Sequence, residues 1–174
     1  KRAADRSFPN NSNLTLRNSR LLTIDDSATY RAYLSEELRL DDFEVQEASG
    51  GAEALERLQN ETFDCVLVDL IMPDMDGIEV CRRISELRRA RQIPMMVLML
   101  TSRENKDDMT RGLEAGADDF VGKSSDIEVL KARLRTLLRR KFFQEENQRI
   151  LAEIQAKELE TVEALAAQRV AETR

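Results

Sequence analysis

The sequence predicts an α/β fold in which five short parallel strands are covered on both faces by helices and the last helix continues past the sheet. Short apolar runs alternate with amphipathic segments between residues 20 and 122, the pattern of successive strand and helix units. Two of these runs, Cys65-Val66-Leu67-Val68 and Met96-Val97-Leu98-Met99-Leu100, are apolar without alternation, as strands buried on both faces must be. From residue 125 to residue 174 neither Gly nor Pro occurs, so one helix can run throughout.

The elements follow in order. Residues 1–18 show no periodicity, and Pro9-Asn10-Asn11-Ser12-Asn13 is turn chemistry, which predicts a flexible leader. Strands are expected over 21–25, 44–48, 64–69, 95–101 and 119–122. Helices are expected over 28–40, 52–59, 78–89 and 106–115, each with apolar residues at helical spacing, as Val80, Ile84 and Leu87 show. Ser125 and Glu128 have the spacing of a capping box and open the final helix. At 1.5 Å per residue, about 48 residues extend roughly 70 Å, more than one small domain can cover. Ile127, Leu130, Leu134 and Leu137 form a stripe that can close the sheet. Leu151, Ile154, Val162 and Leu165 continue a looser seam, spaced like heptads with a stutter. The expected organisation is therefore a leader (1–18), one folded domain (19–140) and a helical extension (141–174). The extension reads as a two-stranded coiled coil, the alternative being a single solvated helix held by local charge pairs.

Composition narrows the function. The chain has 174 residues, of which 41% are hydrophobic and 34% charged, and a net charge of -6. An acidic balance argues against general nucleic-acid binding, which needs a basic face to neutralise phosphate. The clusters Arg88-Arg89-Ala90-Arg91 and Arg139-Arg140-Lys141 fit helix ends and solvated surfaces instead. No apolar run reaches the length of a membrane span, the stretch over 95–100 being strand-sized. There is no histidine, which excludes His-based metal sites, triads and phosphohistidine chemistry within this chain. Cys65 and Cys81 lack metal or redox spacing and read as two thiols in a reducing, cytoplasmic setting.

The chemistry-bearing residues cluster at strand ends. In an open parallel sheet ligands bind at the carboxyl edge. There the first strand ends in Asp25-Asp26, the third in Asp69 and the fourth in Thr101-Ser102, while Lys123 follows the fifth. Carboxylates that close repel one another unless a cation lies between them. Oxygen ligands without Cys or His favour Mg2+, or Mn2+, over zinc, and Mg2+ points to phosphoryl chemistry. Charge then assigns roles: Asp69 as nucleophile, Asp26 as direct metal ligand, Asp25 as a ligand mainly through water, and Lys123 with the Thr101 hydroxyl on the phosphoryl oxygens.

Four motifs sharpen this reading. They are Leu22-Thr23-Ile24-Asp25-Asp26, the loop from Asp69-Leu70-Ile71-Met72-Pro73 to Asp74-Met75-Asp76-Gly77, Leu100-Thr101-Ser102, and Gly116-Ala117-Asp118-Asp119-Phe120-Val121-Gly122-Lys123. Over about residues 20–140 the chain resembles the receiver domain of two-component response regulators. The resemblance implies a flavodoxin-like fold with strand order 2-1-3-4-5. It implies that Asp69 takes a phosphoryl group from the phosphohistidine of a histidine kinase or phosphotransfer protein. It also implies that the backbone carbonyl of Ile71 completes a Mg2+ shell with Asp25, Asp26 and Asp69, and that Thr101 and Phe120 form a switch pair. Two departures are visible. Ser124 stands where the family usually has Pro after the lysine, and the switch aromatic is Phe, which cannot donate a hydroxyl hydrogen bond.

The expected function is thus a phosphoaccepting receiver that works as a homodimer through its last helix, with turnover confined to phosphotransfer and autodephosphorylation at Asp69. The alternative is a receiver-like dimerisation scaffold that takes no phosphate. A Mg2+-dependent phosphohydrolase is disfavoured because Ile71 stands two residues past Asp69, where such enzymes place a second acid.

Overall fold

The computed structural model describes residues 16–102 and 105–173. Contacts divide the chain into two units, one ending at Lys141 and one beginning at Phe142.

The first unit alternates strands and helices: β1 (Arg20–Ile24), α1 (Ala28–Leu40), β2 (Glu44–Ala48), α2 (Gly51–Asn60), β3 (Cys65–Asp69), α3 (Gly77–Arg91), β4 (Met96–Thr101), α4 (Lys106–Glu114), β5 (Asp119–Gly122) and the start of α5 (Ile127–Glu172). All strand pairs are parallel and the sheet order is β2-β1-β3-β4-β5, as expected from the sequence. Every residue of β3 and β4 is buried, which is why these strands carry no polar alternation. β2, at one edge, keeps Glu44 exposed and Gln46 and Glu47 half-buried. Leu22, Val66, Val97 and Phe120 belong to one apolar cluster that α2 and α3 close with Ala54, Leu58, Val80 and Ile84.

Caps set the helix starts. Ser27 accepts from the Tyr30 amide, Asp76 from Glu79 and Asn105 from Asp107, each satisfying a donor that the first helical turn leaves free. α5 departs from expectation by one residue: Asp126, not Ser125, accepts from the Glu128 amide. The Ser125 amide is spent on the Gly122 carbonyl, closing the turn after β5. α5 covers the sheet with Leu130, Leu134, Leu137 and Leu138, all 2% exposed or less. Each such leucine contributes about 1.5–3 kcal/mol of apolar burial.

The first fifteen residues of the expected leader lie outside the described residues. Of its last three, Leu16 is 3% exposed and its carbonyl accepts from the Ser19 hydroxyl, while Arg17 and Asn18 face solvent and the Asn18 amide donates to the Asp42 carbonyl. In the second unit α5 continues to Glu172, and residues 146–173 are all exposed, Ile154, Val162 and Leu165 among them. Among the described residues no helix is long and apolar enough to cross a membrane.

Candidate functional site

Parallel pairing brings the carboxyl ends of β1, β3, β4 and β5 to one edge, and the residues that end them meet there. Asp25 follows the last residue of β1. Its amide donates to Ala48, its carboxylate accepts from the Ser27 amide at 2.9 Å, and its carbonyl accepts from Arg31 at 2.6 Å. Asp69 ends β3. The loop after it folds back so that the Gly77 amide donates to Leu70, and a Cβ on Gly77 would lie 2.2 Å from the Asp69 carbonyl oxygen. Only glycine permits that approach. Lys123 follows β5, and its amide is tied to the Thr101 carbonyl at the end of β4.

Carboxylate oxygens of Asp25, Asp26 and Asp69 all lie within 4.8 Å of one another. Asp25 and Asp69 are buried, at 2% and 5% exposure, and Asp26 faces solvent. The Lys123 Nζ sits between the two buried acids, 2.6 Å from Asp25 Oδ2 and 3.3 Å from Asp69 Oδ1. The contact with Asp25 Oδ2 is a buried ion pair. Burial, and then the Asp25 charge, push the Asp69 carboxyl up to about 6, against the opposing pull of Lys123 and of the Ile71 amide that donates to it. One ammonium therefore serves a cluster of three carboxylates. That donor set fits a hard divalent cation rather than a soft one.

Of the residues singled out from the sequence, Asp25, Asp26, Asp69 and Lys123 converge directly. Thr101 is 1% exposed at the end of β4. Ile71 reaches Asp69 through its amide, while its side chain is half exposed. Phe120 is 6% exposed with its ring turned inward, near Met99 and against the backbone of Gly112. Ser124 is exposed beside Lys123.

Sequence reasoning missed Tyr30. Its ring lies 4.5 Å from the Lys123 Nζ, centroid to nitrogen, a cation–π contact. Burial, followed by Asp25, Tyr33 and Asp69, pushes its phenol up to about 12. The available signal was position: Tyr30 lies one helical turn beyond Asp26, on the first turn of the helix that the acidic pair leads into. Gly77 was part of a motif, but its role in fitting the loop against Asp69 was not legible.

Comparison with known proteins agrees with this geometry. The family model described as the response regulator receiver domain matches residues 21–135. The response regulator MprA of Mycobacterium sp. (strain KMS) is 39% identical over 121 residues, covering 70% of this chain and 51% of the relative. The chain thus spans about half the length of the curated relatives it matches. A CheY-like response regulator receiver domain protein from Methanospirillum hungatei JF-1 superposes with a TM-score of 0.67 at 26% identity, covering 72% of this chain and 98% of that one. Response regulator TrrA from Thermotoga maritima, solved in complex with Mg2+ and BeF, gives a TM-score of 0.60 at 31% identity, over 68% and 98% of the two chains. The family match over residues 21–135, with the sheet order β2-β1-β3-β4-β5, shows that the chain belongs to the response regulator receiver domain family of two-component signalling.

Proposed function

We propose that this receiver domain accepts a phosphoryl group on Asp69 from the phosphohistidine of a histidine kinase or phosphotransfer protein. The observation that carries the reading is the placement of the Lys123 ammonium between two buried carboxylates, beside a third. Asp69 is the acceptor because it is buried next to the lysine and ends the central strand β3, with the Ile71 amide on its carboxylate. One carboxylate oxygen forms a bond to phosphorus as the phosphorus–nitrogen bond breaks, and the imidazole of the donor leaves with the electron pair and takes up a proton. Lys123 and the Thr101 hydroxyl hold the transferred oxygens. The cofactor is Mg2+, with Mn2+ able to replace it, held by Asp25, Asp26, Asp69 and the Ile71 carbonyl. When bound it supplies positive charge to the phosphoryl oxygens and relieves the repulsion among the acids. That TrrA was solved in complex with Mg2+ and BeF supports a divalent cation for this chain.

The added charge is read by Thr101 and Phe120, which lie on β4 and β5, and passes to α5. The output is a dimeric helix, a homodimer formed through residues 141–174, acting on a module elsewhere in the signalling protein. Reduced, unpaired Cys65 and Cys81 are consistent with a cytoplasmic setting. The acidic site edge supports neither direct nucleic-acid binding nor a membrane role.

Incubation with acetyl phosphate and Mg2+ tests the assignment. The expected result is a mass gain of one phosphoryl group, absent in Asp69→Asn and in chelator. No adduct on the unmodified chain leaves the alternative, a dimerisation scaffold resembling a receiver, in its place.

A further inference from the structure

The second unit carries a pattern that the site does not use. Phe143, Ile154 and Leu165 recur at intervals of eleven residues, and Leu151 and Val162 recur at the same interval. All five are solvent-facing in a single copy, from 48% exposed at Ile154 to 67% at Phe143. The stutter seen in the heptad reading is therefore not one interruption but a regular feature. Eleven residues over three turns give 3.67 residues per turn, slightly more than the 3.6 of a straight helix, whereas heptads give 3.5. A row with this period drifts gently the opposite way to a heptad seam.

We infer that a second copy of this chain covers this row, and that the two helices run parallel and in register with a nearly straight, slightly right-handed wrap. Two arguments select that occupant. A partner must share the eleven-residue period to stay in contact along the unit, and an identical chain does so by construction. The seam also supplies its own charge complement. A third row, Asn147, Glu158 and Arg169, follows the same interval. In the parallel in-register pair each residue of this row faces its own copy, so Glu158 meets Glu158 and Arg169 meets Arg169, and the flanking Lys157 and Glu172 supply the opposite charge beside each like pair. Asn147 meets Asn147, a pairing that favours one register. An antiparallel pair with full overlap would set Phe143 against Thr173 instead. A lipid surface is disfavoured because Glu153, Glu160 and Glu163 flank the apolar rows where a membrane-lying helix would carry Lys or Arg.

This inference deepens the dimeric relay proposed above and rests on that reading for its role, but its test reads helix pairing alone. Variants of the whole chain that each add one cysteine, Ile154→Cys, Gln155→Cys, Leu165→Cys and Ala166→Cys, are oxidised without any phosphoryl donor, the native Cys65 and Cys81 being buried. The expected result is that positions 154 and 165 cross-link at least tenfold faster than 155 and 166, and that sedimentation of the unmodified chain shows a dimer. Faster cross-linking at 155 returns the seam to heptads. Cross-links confined to mixtures of Ile154→Cys with Val162→Cys show an antiparallel pair. A monomer in sedimentation shows that the row is covered by something other than a second copy. Each of these overturns the inference, and phosphoryl uptake, measured separately, bears only on Asp69.

Discussion

Asp69 is held in a state that the fold itself opposes. Its carboxyl titrates near 6, above the ordinary value near 4, so the folded chain binds the proton more tightly than the unfolded one. For a group raised in this way, stability is greatest below the unfolded value and falls as pH rises through the folded one. Without a divalent ion, charging Asp69 therefore costs about 1–3 kcal/mol once pH exceeds 6, the lower end allowing for lost pairing with Lys123. Asp69→Asn removes that cost. Thermal unfolding in chelator is expected to show the variant more stable than the parent at pH 7.5, with the advantage shrinking to nothing near pH 4. An equal advantage at both values would mean that burial of charge is not the cause. Tyr30 offers a second residue-level expectation. Its ring face meets the Lys123 ammonium, a contact of about 0.5–2 kcal/mol. Tyr30→Phe keeps the face and should take up phosphate from acetyl phosphate at close to the parent rate, while Tyr30→Leu should slow the initial rate several-fold.

Among the elements, the loop from Asp69 to Gly77 is closed directly against backbone. A methyl group at Gly77 would meet backbone atoms of both Asp69 and Leu70 within 3 Å, and backbone cannot rotate away as a side chain can. Gly77→Ala is therefore expected to destabilise the domain by about 2 kcal/mol or more and to depress phosphoryl uptake, because relief must come from moving Asp69 or the start of α3. Denaturant midpoints and uptake rates measured on one preparation check both. The strands themselves were legible almost to the residue, since β3 and β4 are continuous apolar runs and the acids just after β1 and at the end of β3 close the pattern. The start of α5 was misplaced by one residue for a local reason: Ser125 and Asp126 are both good caps, and the turn back to Gly122 decides which is free to serve. Tyr30 was hidden for a different reason. Its contact joins α1 to the residue after β5, and no local period reports a meeting of segments about 90 residues apart in a parallel sheet.

For the molecule as a whole, these terms oppose one another in a way that the proposed divalent ion would reverse. Metal-free, the folded domain carries the repulsion of Asp25, Asp26 and Asp69, only partly offset by Lys123. An ion that binds the folded state alone stabilises it by mass action, about 2.7 kcal/mol at a hundredfold excess over its dissociation constant. Saturating Mg2+ should therefore raise the melting temperature of the parent chain. It should do little for Asp26→Asn, which keeps the buried pair but loses the solvent-facing ligand. Asp69→Asn, the more stable protein in chelator, should fall to or below the parent once Mg2+ is added. That crossing is the informative result, because a general salt effect would lift all three chains together and preserve their order. Sodium sulfate at matched ionic strength serves as the control. Should Mg2+ stabilise the Asn variants as strongly as the parent, the three carboxylates are not its ligands, and their crowding needs another explanation.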